Sequence, residues 1–118
     1  MEKRPVGASG LQVSRLGLGT MTWGRDTDEQ EAADQLRLFL DAGGNFIDTA
    51  AIYGDGDSER VLGGLIDAMA KREDLVIASK SGISIRSGER KIDNSRKAQY
   101  RDWETDRKST RLNSSHRQ

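Results

Sequence analysis

The sequence predicts an α/β fold built on parallel strands. Three short strand-like segments centre on Leu16–Gly19, Phe46–Asp48 and Val76–Ser79, and two segments with apolar residues at helical spacing lie between them. The order strand–helix–strand–helix–strand implies parallel pairing with right-handed crossovers. An open doubly wound sheet and a (β/α)8 barrel both satisfy that order. With 118 residues, the chain is short of the roughly 250 that a barrel takes, so it would hold about three βα units of one.

Each element has a local reason. Arg4 to Ser14 brackets Gly7-Ala8-Ser9-Gly10 and reads as a small hairpin. Val13 to Met21 alternates aliphatic and small residues, and its glycines permit close approach of another backbone or a ligand. A helix is expected to start at Asp26-Thr27-Asp28-Glu29-Gln30. Thr27 is its expected cap, Gln30 completes a capping-box pattern, and the acids suit the positive end of the dipole. Ala33, Leu36, Phe39 and Leu40 form its apolar face, and Gly43-Gly44 supplies a left-handed stop.

Asn45 to Ala50 is the second strand. Asp57 or Ser58 is expected to cap the next helix, whose apolar face is Val61, Leu62, Leu65, Ile66 and Met69. Gly63-Gly64 weakens that helix by roughly 1 kcal/mol each relative to alanine, and would let it lie close to a sheet. Leu75 to Lys80 is a nearly continuous apolar run, of the kind buried on both faces. Ser81 to Lys91 reads as polar loop, and Asn94-Ser95 as the cap of a third helix.

Composition bounds the partners. Lysine plus arginine number 19 and aspartate plus glutamate number 19, so the net charge gives no case for nucleic acid or an anionic membrane. There are no cysteines, which excludes disulfides and thiolate metal sites. No metal-ligand pattern stands out. No apolar run approaches the roughly 20 residues of a membrane span, and Met1 to Pro5 lacks the apolar core of a signal peptide. The expectation is a cytoplasmic protein without membrane contact.

The composition changes near residue 98. From Gln99 to Gln118 the only aliphatic side chain is Leu112, joined by Tyr100 and Trp103 as large apolar groups. So polar a segment cannot offset its ordering entropy by burial. The chain is therefore divided into residues 1–98 and a tail, 99–118. The tail is either disordered or foreign to the gene; the second is favoured because it interrupts a pattern instead of following a finished domain.

Three polar residues fall where parallel α/β sheets place their chemistry, at the C-terminal ends of strands. Asp48 ends the second strand, Tyr53 lies in the loop beyond it, and Lys80 closes the third. Singly, each has a plain structural role open to it: a cap, a turn aromatic, a strand's exit into water. Together they suit proton donation to a carbonyl oxygen. A phenol is a weak acid near neutrality, a nearby ammonium favours its anion, and an aspartate keeps the lysine charged and aimed. Such positioned acid catalysis contributes about 10²–10⁴-fold. A dinucleotide fingerprint is not cleanly present, since Gly17-Leu18-Gly19-Thr20-Met21-Thr22 lacks the third glycine.

Gly17-Leu18-Gly19-Thr20-Met21-Thr22-Trp23-Gly24 resembles the first strand and loop of the aldo-keto reductases. The run Asp41-Ala42-Gly43-Gly44-Asn45-Phe46-Ile47-Asp48-Thr49-Ala50-Ala51-Ile52-Tyr53-Gly54, continued by Ser58-Glu59-Arg60-Val61-Leu62-Gly63, is similar to that family's most specific signature, and Val76 to Lys80 resembles its lysine strand. The resemblance spans nearly all of residues 1–98. It implies a (β/α)8 barrel, here incomplete, and NADPH-dependent reduction of a small aldehyde or ketone. It makes Asp48, Tyr53 and Lys80 three of four catalytic residues, with Tyr53 the general acid. Gly19, Thr20 and Met21, with Asp48, would lie along the cofactor, and Trp23 would wall the substrate pocket.

The fourth catalytic residue of the family is a histidine at the end of strand four. His116 is the only histidine, but residues 99–115 contain neither the leucine-rich helix nor the apolar strand that should precede it, so His116 is rejected. Strands four to eight, which in this family hold the rest of the cofactor, are absent. The expectation is an oxidoreductase by lineage that is inactive as this polypeptide. The alternative is a regulatory binding module on the same fold, as in potassium-channel β subunits.

Overall fold

A computed structural model describes residues 1–86 and 88–100. Its centre is a parallel sheet of β3 (Gly17–Gly19), β4 (Phe46–Asp48) and β5 (Val76–Ala78), in that order. In register, Gly17 stands beside Phe46 and Phe46 beside Val76; Leu18, Ile47 and Ile77 form the middle row; Gly19, Asp48 and Ala78 form the last. Helix α1 (Glu29–Asp41) connects β3 to β4, and α2 (Asp57–Met69) lies between β4 and β5. A preceding antiparallel hairpin pairs β1 (Lys3–Pro5) with β2 (Gln12–Ser14).

The middle row points into the core. Trp23, Ala32, Leu36, Ile47, Leu62, Leu65, Ile66 and Leu75 form one buried cluster, with Leu18 and Ile77 packed against it. Because strand side chains alternate, burying Ile47 sends Asp48 to the other face. The helices thus cover one face of the sheet and leave Asp48 on the other. The hairpin is held at the opposite end of the strands. Asn45 accepts from the Ser14 N–H at 2.7 Å, and its side-chain amide donates to the Gln12 carbonyl at 2.8 Å.

The helix ends differ in detail from the reading by residue type. Asp28, not Thr27, caps α1, accepting from the Glu31 N–H at 2.8 Å. Thr27 is buried and shares a hydrogen bond of 2.8 Å with the Thr22 hydroxyl. Neither Asp57 nor Ser58 caps α2: its N-cap is Gly56, left-handed at φ 95°, and Ser58 turns inward. The C-terminus of α1 closes as expected at the glycines. Gly43 is left-handed at φ 88°, the Gly44 N–H reaches the Phe39 carbonyl at 2.9 Å, and the Gly43 N–H reaches that of Leu40 at 2.9 Å. These two bonds make a Schellman motif.

Gly44 is required by packing as well, because a Cβ there would clash with the edge of the Phe39 ring. Gly44→Ala is expected to cost about 1–3 kcal/mol by overpacking. The check is the urea midpoint of a chain that completes the sheet, where an unchanged midpoint would show that Phe39 yields freely.

Two strand readings need correction. The third strand is not buried on both faces: Val76, Ile77 and Ala78 are all half-buried. β4 has a partner on either side, whereas β5 lies at an edge with none beyond it among the described residues. Residues 81–91 are not a loop. β6 (Ile83–Arg86) pairs antiparallel with β7 (Glu89–Ile92), and Gly88 at φ 76° supplies the turn. Ser95 does cap a short helical stretch at 96–100, accepting from the Ala98 N–H at 3.2 Å. The tail beyond residue 100, including His116, lies outside the described residues. No helix among them is long and apolar enough to cross a membrane.

Candidate active site

The C-terminal ends of β4 and β5 bring Asp48, Tyr53 and Lys80 together. Lys80 Nζ lies 2.9 and 3.0 Å from the two Asp48 carboxylate oxygens, 3.0 Å from the Thr49 carbonyl and 3.3 Å from the Tyr53 hydroxyl. It also sits 5.0 Å from the centroid of the Tyr53 ring. The ammonium has three protons, and three groups receive them: the carboxylate, the carbonyl and the phenol oxygen.

The backbone dictates this convergence. The Thr49 N–H donates to the Ala78 carbonyl at 2.8 Å and the Ala51 N–H to the Lys80 carbonyl at 3.0 Å, so the pairing of β4 with β5 continues past both strands. Tyr53 then opens a tight turn in which Gly54, Asp55 and Gly56 all have positive φ, at 57°, 53° and 95°. Asp55 is the one non-glycine residue with positive φ among the described residues. Aspartate tolerates that region better than most residues.

Lys80 is held above the ordinary lysine pKa, chiefly by its hydrogen bond to Asp48; desolvation is next and opposes this, and the hydrogen bond to Tyr53 adds to the rise. A pKa raised on folding contributes stability that is complete below the unfolded value, about 10.4, and is lost as pH rises through the folded value. The Lys80 side chain is 53% exposed and that of Asp48 40%, so the pair contributes little, about 0.2–1 kcal/mol. In a chain that completes the sheet, Lys80→Met should lower the unfolding midpoint slightly from pH 7 to 10, with the gap from the parent closing above that range. A gap that widens with alkali would reverse the assignment.

A pocket of about 240 Å³ opens beside Tyr53 and Lys80, lined by these two with Ala50, Ile52, Ser81, Ile83 and Arg90. Ile83 and Arg90 come from the β6–β7 hairpin, and no feature of a segment read as loop could have placed them here. The end of β3 is open to solvent. Gly19 is exposed with no atom within 4 Å of where a Cβ would stand, and Met21 is 56% exposed. Gly17 is different, since a Cβ there would meet the Phe46 ring at 2.9 Å.

Two expected contact residues turn away from the open face. Thr20 is fully buried, its hydroxyl within 2.8 Å of Ser58 Oγ and 3.2 Å from the Asp48 carbonyl. Trp23 is fully buried in the core and donates from its indole N–H to Gln35 at 2.8 Å, so it does not wall this pocket. Both sit beside exposed glycines, and residue type alone does not reveal which way such side chains turn.

The aldo/keto reductase family model matches residues 15–114, and so runs beyond the composition change near residue 98. The aldo-keto reductase YhdN of Bacillus subtilis is 38% identical over 88 residues, which are 70% of this chain and 26% of that protein. A protein named as a probable voltage-gated potassium channel subunit beta, from Oryza sativa subsp. japonica, is 38% identical over 82 residues, 68% of this chain and 25% of its own length. Among solved structures, an aldo-keto reductase from Pseudomonas aeruginosa is 46% identical with a TM-score of 0.80, covering 93% of this chain and 42% of that one. The chain therefore spans about a quarter of the length of these curated relatives. Its parallel βα units are those of an incomplete barrel, and the chain belongs to the aldo/keto reductase family.

Proposed function

We propose that this segment, with residues 1–98 as its barrel part, belongs to an NADPH-dependent reductase that converts an aldehyde or ketone to an alcohol, with Tyr53 as general acid. The observation that carries this reading is the Lys80 ammonium shared among Asp48, the Thr49 carbonyl and the Tyr53 oxygen. The phenol oxygen accepts from Lys80, so its own proton is left to donate elsewhere. A carbonyl oxygen in the adjoining pocket is the natural acceptor. The ammonium stabilises the phenolate that proton transfer leaves behind, and Asp48 keeps the ammonium in place.

NADPH, when bound, would supply the hydride. Gly19 and Met21 would line its nicotinamide end, with Asp48 beside it, because these residues leave open space above β3 and β4. Thr20 contributes only by holding the strand end from below. The apolar Ala50, Ile52 and Ile83 would exclude water from the carbonyl carbon. The test is NADPH oxidation with an aldehyde in the full-length protein, compared with its Tyr53→Phe variant. Within the same reading, the 118-residue polypeptide alone is inactive.

A second reading, a regulatory binding module, is favoured by the likeness to the potassium channel subunit beta from rice. A full-length protein that binds NADPH but turns over no carbonyl compound would support it.

A further inference from the structure

We propose that Ser58 is a positioning residue for the proton-donating site, a role that rests on the reading of Tyr53 as general acid. Ser58 is the second residue of α2 and is fully buried. Its Oγ lies 2.8 Å from the Thr20 carbonyl, 2.8 Å from Thr20 Oγ1 and 3.2 Å from Thr49 Oγ1. Thr20 and Thr49 are also fully buried. Three hydroxyls from three segments of the chain thus meet beneath Asp48, out of reach of water.

Counting protons orders the cluster. The Thr20 carbonyl can only accept, so the Ser58 proton goes to Thr20, shared between its carbonyl and hydroxyl oxygens. The Thr20 hydroxyl donates to the Asp48 carbonyl at 3.2 Å. The Thr49 hydroxyl is left as the donor to Ser58. Each hydroxyl proton then has an acceptor, and the ends of β3 and β4 are both fastened to the first turn of α2.

Each anchored point bears on the site. The Asp48 carbonyl receives both the Thr20 hydroxyl and, at 3.1 Å, the Thr20 N–H. The carbonyl of Thr49 receives Lys80 at 3.0 Å. Tyr53 begins the left-handed turn that ends at the head of α2. That turn, with Gly54, Asp55 and Gly56 all at positive φ, has no side-chain cap at its junction with α2. Ser58 ties the head of α2 to the ends of the strand carrying Asp48 and of β3, and through Thr49 to the carbonyl that receives Lys80. Its loss lets the phenol drift relative to the ammonium without removing either.

The test uses the full-length enzyme and four variants: Ser58→Ala, Thr49→Val, Leu62→Ala and Tyr53→Phe. Leu62 is fully buried in the α2 core and serves as a destabilised control. Assays run well below every unfolding midpoint. Ser58→Ala is expected to lower kcat about tenfold, as small misplacements of reacting groups do, with KM for the carbonyl within about twofold. Leu62→Ala should keep kcat within about twofold of the parent. If Ser58→Ala fails to fold, Thr49→Val, which removes the donor to Ser58, carries the same expectation. An unchanged kcat, or an equal loss in Leu62→Ala, overturns the positioning role. If Tyr53→Phe retains full activity, the reading beneath it falls as well; if only Tyr53→Phe loses activity, this inference alone fails.

Discussion

In the full-length protein, if it is the proposed reductase, Tyr53→Phe is expected to lower kcat for carbonyl reduction by about 10²–10⁴-fold, the usual contribution of positioned acid catalysis, and to leave NADPH binding nearly unchanged. The substitution deletes one oxygen. Lys80 keeps its bonds to Asp48 at 2.9 and 3.0 Å and to the Thr49 carbonyl at 3.0 Å, so the rest of the site stays assembled. On the proposed reading the lost group is a proton donor that acts in the transition state, so kcat should fall and binding should not. Steady-state assays with an aldehyde, together with NADPH titration of the free protein, separate the two effects. Equal turnover in variant and parent would remove Tyr53 from the role.

Residues 1–118 expressed alone are expected to show no carbonyl reduction and no cooperative thermal transition. The sheet order β3-β4-β5 leaves β3 and β5 each with one edge unpaired among the described residues. Parallel strands are stable when both faces are covered, and open edges promote association. The β6–β7 hairpin forms its own two-stranded sheet and does not extend β5. Natural domains are stable by only about 5–15 kcal/mol, and this chain covers 26% of the YhdN reductase it matches. With so little of the barrel present, that margin should vanish, and ligand binding has few contacts with which to restore it. A sharp circular dichroism melt would refute the folding half, and NADPH oxidation with an aldehyde would refute both halves.

The legible parts of the molecule were those governed by local rules. Gly43-Gly44 announced the end of α1 because only glycine takes the left-handed position without strain, and the stop lies there. The hairpin around Gly7 and Gly10 was legible for the same reason, since both have positive φ. The parallel order of β3, β4 and β5 followed from the helices between them. The meeting of Asp48 and Lys80, 32 residues apart, followed from their places at adjacent strand ends. The illegible parts depended on neighbours distant in sequence. Thr27 looked like a cap, but the fold buries it against Thr22 and leaves Asp28 to accept the first free N–H. Residues 81–91 read as polar loop by composition, and only the pairing of β7 with β6 makes strands within them.

By itself, then, the sequence determined the βα order, the resemblance to a reductase family and the three groups at the strand ends. Helical spacing, glycine turns and strand alternation act over a few residues and leave a visible pattern. The tertiary structure alone decided which way individual side chains turn. It buried Trp23 beside Gln35, turned Thr20 beneath the sheet, brought Arg90 to the pocket and joined Ser58 to two strands. For Trp23, Thr20 and Ser58 those outcomes depend on which buried polar atoms find partners, and for Arg90 on the pairing of β6 with β7. A buried hydroxyl left unpaired costs about 1–3 kcal/mol, and the partner that satisfies it can lie anywhere along the chain.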